Sequence, residues 1–153
     1  DFLNQMVREG KARAVGIAPR AEDMTAIARS GVPFGDVAQF DASMRSSFAP
    51  EGGASPALVV THSCLGQRFR DIVDQMVTNL PLRNSWSDAL GKDAGDPATI
   101  AQAFLAHAIQ QNPRGIVLFS TTKPDRLRSN LDALSLLKAP ETSAALAKLM
   151  AAE

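Results

Sequence analysis

The chain has 153 residues, the size of one ordinary domain and short for two. With 45% apolar and 21% charged residues it reads as a globular chain, and sixteen basic side chains cancel sixteen acidic ones, leaving no net charge to attract nucleic acid or an anionic membrane. The one cysteine, Cys64, excludes an intrachain disulfide and any metal cluster built on several cysteines, and it fits a reducing, cytoplasmic setting.

LNQMVREG (3–10) begins the chain with a helical turn, and KARAVGIA (11–18) reads as a first strand. Met24, Ile27 and Ala28 on one side predict a helix from Ala21 to Ser30, with Gly31 placed to end it. DVAQFDAS (36–43) is a second strand, and FAPEGGASP (48–56) is a loop by composition. ALVVTHS (57–63) is a third strand whose consecutive aliphatics predict burial on both faces. QRFRDIVDQMVTNL (67–80) has helical spacing through Phe69, Ile72, Val73, Met76 and Val77, and a polar stretch follows over 84–95.

Asp96 then caps a helix that opens with Pro97, because its carboxylate can accept free amides and proline needs no amide partner there. That helix carries Ile100, Phe104 and Ala108. IVLFS (116–120) is the fourth strand, followed by a helix with Leu127, Leu131, Leu134 and Leu137 on one stripe. Pro140 opens a last helix through Leu146, Leu149 and Met150. Alternation of this kind predicts an α/β fold with four parallel strands in sequential order near 12–17, 36–42, 57–62 and 116–120. Four such units are half of a closed (β/α)8 barrel, which needs about 250 residues. The expectation is a single parallel β/α half-barrel domain.

The connection after the fourth strand, STTKPDR (120–126), is polar and basic where a bland link would suffice. Helix N-termini present free amides and partial positive charge. Pro124 suits the first helical position and disfavours α geometry at Lys123. Thr121, Thr122 and Lys123 would line the turn, with Arg126 one turn in and Asn130 a further turn along the same face. The same pattern also describes a capped surface helix with solvated charges. Cys64 reads as a buried structural thiol, since no base other than His62 stands near it. The pairs Arg68 with Arg70 and Arg126 with Arg128 are too isolated to form a nucleic-acid patch.

Four stretches together resemble the aldo/keto reductase family, over the C-terminal half of its (β/α)8 barrel. They are REGKARAVGIA (8–18), DVAQFDAS (36–43), VVTHSCLG (59–66) and NPRGIVLFSTTKPDRLRSNLDAL (112–134), in the family's order and spacing. The resemblance implies the cofactor-binding half of an enzyme that moves hydride between NADP(H) and a carbonyl or alcohol. It implies that Arg126 and Asn130 meet the adenosine 2′-phosphate and adenine, and that Thr121, Thr122 and Lys123 line the phosphate turn. By the same likeness Gln39 bonds the nicotinamide carboxamide, an amide being both donor and acceptor. Water or backbone would satisfy it equally well. His62 falls where the family stacks an aromatic ring on the nicotinamide, and the alternative is a structural hydrogen-bonder. His107 is the only other histidine and sits in another predicted element, so no metal role is expected.

Several positions depart from the family pattern. Ala18-Pro19 replaces a serine-asparagine pair that holds the carboxamide, Ser129 stands where an acid is common, and Phe119-Ser120 replaces a proline-lysine pair. The family's acid/base tyrosine and its partners belong to the other half of the barrel, and this chain has no tyrosine at all. The segment alone is therefore expected to be inactive. The chain opens on Asp1, which fits a piece of a longer reductase whose N-terminal half is the missing partner. The alternative is a non-catalytic half-barrel that self-associates through its open sheet edges, and a third reading is a reductase-like protein without cofactor affinity. No apolar run reaches the roughly 20 residues that span a bilayer and the charges balance, so neither membrane nor nucleic acid is an expected partner.

Overall fold

The computed structural model describes residues 2–20, 23–30, 35–42 and 56–151. The elements run α1 (Phe2–Arg8), β1 (Gly16–Ile17), α2 (Met24–Ser30), β2 (Val37–Asp41), β3 (Leu58–His62), α3 (Gln67–Thr78), α4 (Leu80–Leu90), α5 (Pro97–Gln111), β4 (Ile116–Val117), α6 (Pro124–Leu131), α7 (Ala133–Leu136) and α8 (Pro140–Ala151). The four strands form one parallel sheet in the order β1-β2-β3-β4, the α/β arrangement that the alternation implies. The chain forms two compact units, Asp1–Ser63 with Asn112–Leu118, and Cys64–Gln111 with Phe119–Glu153.

In the first unit, alternate residues of β2 divide between two environments. Ala38 and Phe40 are fully buried and pack with Ile17, Ile27 and Val59, whereas Val37, Gln39 and Asp41 on the opposite face are half-buried. Side chains of neighbouring strands share a face at paired positions, so Gln39 lies beside Val60, and Asp41 beside His62. Close approach dictates one residue of β1: a Cβ on Gly16 would lie 1.8 Å from the Val37 carbonyl oxygen. Asn112, almost fully buried, donates from Nδ2 to the carbonyls of Val59 (3.1 Å) and Ile116 (3.3 Å), which fixes the entry to β4.

The edge strands are shorter than the sequence predicts. Beyond Val117 one more amide, that of Leu118, reaches the Thr61 carbonyl at 2.7 Å. Ser63 then adopts a left-handed φ of 63° and turns β3 out of the sheet, leaving nothing for the expected 119–120 extension to pair with. At the other edge β1 has a partner on one side only. Gly31, Ala21 and the 48–55 loop lie outside the described residues, as do the side chains of Met24 and Ala28.

The second unit is helical. α5 is buried from Thr99 through Ala106 and again at Ala108, and it packs against α3, α6, α7 and α8. Phe104 is its centre: the Phe69 ring meets it edge-on at 5.8 Å, and Trp86 stacks on it at 6.4 Å. The Asp96 cap forms as expected, with the Ala98 amide donating to Oδ1 at 2.9 Å. α3 follows its predicted spacing at Ile72 and Met76, but Val77 is 82% exposed.

Two readings of this unit need correction. Residues 80–90, seven of them inside the stretch read as polar, form α4, which buries Trp86 and Leu90 one turn apart. The Asn79 side chain caps it by accepting from the Leu82 amide, Pro81 sits in its first turn, and Gly91 ends it in the left-handed region. The leucines expected on one stripe of a single helix after β4 do not share one helix either. The helix breaks at Asp132, and α6 and α7 bury Asn130, Ala133 and Leu136 at intervals of three, so Leu127, Leu131 and Leu134 stay about half exposed. α8 buries Leu146 and Met150 as expected.

Candidate functional site

Lys123 is the N-cap of α6, in extended geometry (φ −110°, ψ 115°) as a residue before proline must be. Its own amide donates to Thr121 Oγ1 at 3.2 Å, a local turn that sets the direction of the chain into the helix. No side chain caps α6. Pro124 has no amide, and the Leu127 amide already bonds the Lys123 carbonyl at 3.3 Å. The amides of Asp125 and Arg126 are thus the ones left over at the positive end of the helix.

Around that end the cations divide. Arg128 pairs with Asp125 at 3.2 Å, an i,i+3 contact on the surface. Lys123 and Arg126 are exposed, and their side chains bond no described residue. Thr122 is exposed as well, Thr121 is half-buried, and Asn130 is 9% exposed on the inner side of α6. Two unused amides with a guanidinium and an ammonium beside them can accept a dianionic group.

Gln39 and His62 belong to the other unit. They sit on one face of adjacent strands, with His62 two positions further toward the C-terminal ends, where parallel sheets carry their ligands. Ser63 Oγ lies 2.8 Å from His62 Nδ1, so with the ring proton on Nε2 the serine hydroxyl donates and fixes the ring. A left-handed serine costs of order 1–3 kcal/mol, which marks this corner as a point the fold holds against local preference. Ser63 was not singled out from the sequence, and Cys64 beside it is half-buried rather than the buried thiol expected.

His107 on α5 is a titratable group in a perturbed setting in the second unit. Burial holds its imidazole below the ordinary value, the Arg68 guanidinium pushes the same way, and the Gln110 carboxamide opposes them. That opposition is weak, since His107 Nδ1 and Gln110 Oε1 are both buried without a hydrogen-bond partner. Gln102, also on α5, joins Lys92 to Ser129 of α6. The sequence reading missed it, and its one signal was a glutamine among the apolar positions of a buried helix.

Comparisons with protein-family models, with curated proteins and with solved structures find no match to this chain.

Proposed function

We propose that this chain is the cofactor-binding half of an NADP(H)-dependent aldo/keto reductase, a parallel β/α half-barrel that needs the other half for catalysis. The observation that carries the reading is the α6 turn, where an uncapped helix start is flanked by Lys123 and Arg126, whose side chains bond no described residue. Arg126 would fork onto the 2′-phosphate, Lys123 would add charge, and Thr121 and Thr122 would line the turn. Gln39 would hold the nicotinamide carboxamide and His62 would lie against its ring. With no tyrosine in the chain, no proton donor of the family's kind is present, so the half binds and orients the cofactor without turning it over.

NADPH fluorescence titration tests this. Binding is expected to weaken as salt rises, because exposed charge contacts are screened within about 10 Å at 0.1 M. Salt-independent binding would sink the reading. Aldehyde reduction with NADPH is expected at background. Steady turnover that disappears in His62→Ala would show that another acid does the chemistry.

One observation favours a second reading, self-association of a non-catalytic half-barrel. Ile116 and Leu118, at the β4 edge, are 45% and 42% exposed, with no lysine or proline in the strand to blunt pairing. A concentration-independent monomer in sedimentation would remove it.

A further inference from the structure

α6 has eight residues, about two turns, too short to hold its own shape in water. Whatever fixes it therefore decides where Arg126 and Lys123 stand. Gln102 of α5 does so chemically. The residue is 6% exposed and its carboxamide is bonded at both ends: Oε1 accepts from Lys92 Nζ at 2.8 Å, and Nε2 donates to the Ser129 carbonyl at 3.0 Å and to Ser129 Oγ at 3.1 Å.

The direction of this chain of bonds follows from its ends. An ammonium only donates, so the amide must turn its oxygen to Lys92 and its nitrogen to Ser129. The Ser129 carbonyl lies in the last turn of α6, where it also accepts from the Asp132 amide at 3.1 Å. Lys92 is itself placed by a fixed loop. Gly91 ends α4 in the left-handed region, and Arg83 grips Asp93 through three contacts of 3.0–3.1 Å. The Gly95 amide also donates to Asp93, and with Arg83 it holds that carboxyl below the usual range.

We propose that Gln102, oriented by Lys92, is the positioning residue of the α6 site. By clamping Ser129 it fixes the rotation of α6, and so sets Arg126 and Lys123 to tell a 2′-phosphorylated adenosine from one without that phosphate. This inference rests on the phosphate reading of the turn. Ser129 is part of the device: an acid there would meet the Gln102 amide with a longer, charged side chain, and the clamp as built needs the short hydroxyl.

The test uses the full 153-residue chain with two probes, adenosine 2′,5′-bisphosphate and adenosine 5′-monophosphate, and hydrogen exchange of α6 without ligand. Gln102→Glu, nearly isosteric but unable to donate to the Ser129 carbonyl, is expected to weaken the bisphosphate about tenfold and leave the monophosphate unchanged. Exchange at 127–131 should rise in the same variant. Lys92→Met should do the same in smaller measure, and Lys92→Arg should restore both. If the wild type prefers the bisphosphate, yet Gln102→Glu and Lys92→Met leave preference and exchange unchanged, the positioning role is wrong. If the wild type shows no preference, the phosphate reading falls. In that case exchange still judges the clamp, which survives only if both variants loosen α6 and Lys92→Arg does not. Lys92→Met covers the case in which Gln102→Glu does not fold.

Discussion

α3 and α6 start alike and end up in different chemistry. Each begins without a side-chain cap, and each carries two arginines within its first five residues. At α3 those cations are committed to the protein. Arg68 donates to the Met150 carbonyl at 2.6 Å, near the C-terminal end of α8, and Arg70 bonds Gln67 Oε1 at 2.8 Å. Phe69, between them, is locked onto Phe104. At α6 only Arg128 is engaged, and Lys123 and Arg126 are left to solvent. The helix dipole is much the same at both ends. What makes one start structural and the other a candidate anion site is where the neighbouring cations are used.

The comparison can be broken at several strengths. Phe104→Ala removes the ring under both Phe69 and Trp86, and should lower unfolding stability by about 3–5 kcal/mol in a denaturant titration. Arg126→Ala should leave that stability within about 0.5 kcal/mol yet cost roughly ten- to a hundred-fold in affinity for a 2′-phosphorylated adenosine. Arg68→Ala should do the converse. Unfolding stability drops by about 1 kcal/mol, the low end for a charged donor because the residue is largely exposed, and ligand affinity stays put. Equal effects of the two substitutions on binding would erase the distinction drawn between the helices.

Acid sharpens it further. His107 has its folded value held below the unfolded one, so the unfolded chain takes up its proton first. Its contribution to stability is present above the ordinary value of about 6.5 and is lost as pH falls through that value toward the lower folded one. Thermal midpoints should therefore decline across that window, and His107→Leu should flatten the decline. A slope unchanged in that variant would place the sensitive group elsewhere. The smallest effect belongs to Asp125, the acid in the first turn of α6. Asp125→Asn removes a negative charge beside the site and should tighten phosphate binding only about two- to five-fold. Weaker binding in calorimetry would mean that Asp125 orders the turn through Arg128.

The parallel order of the sheet was readable because strand-helix alternation leaves few other topologies, and Asp96-Pro97 announced α5 through cap chemistry alone. α4 escaped notice although its punctuation was present, with Asn79 before Pro81 and Gly91 after Leu90. Its composition is mixed, with polar residues crowded between the apolar ones, and only Trp86 and Leu90 are buried. The leucine stripe misled for a different reason. Four leucines at helical spacing look like a core face, but Asp132 breaks the helix and the interval of three at Asn130, Ala133 and Leu136 decides burial. Of the site, the turn chemistry was local and hence visible. The clamp through Gln102 joins positions 92, 102 and 129, and no local pattern links residues so far apart in the chain.

Calorimetric titration of the unaltered chain with adenosine 2′,5′-bisphosphate, set against adenosine 5′-monophosphate in the same buffer, tests the central claim most directly. The account predicts that the bisphosphate binds at least about tenfold more tightly, the worth of one charge-assisted fork from Arg126. Equal affinities, or no heat from either, would contradict it.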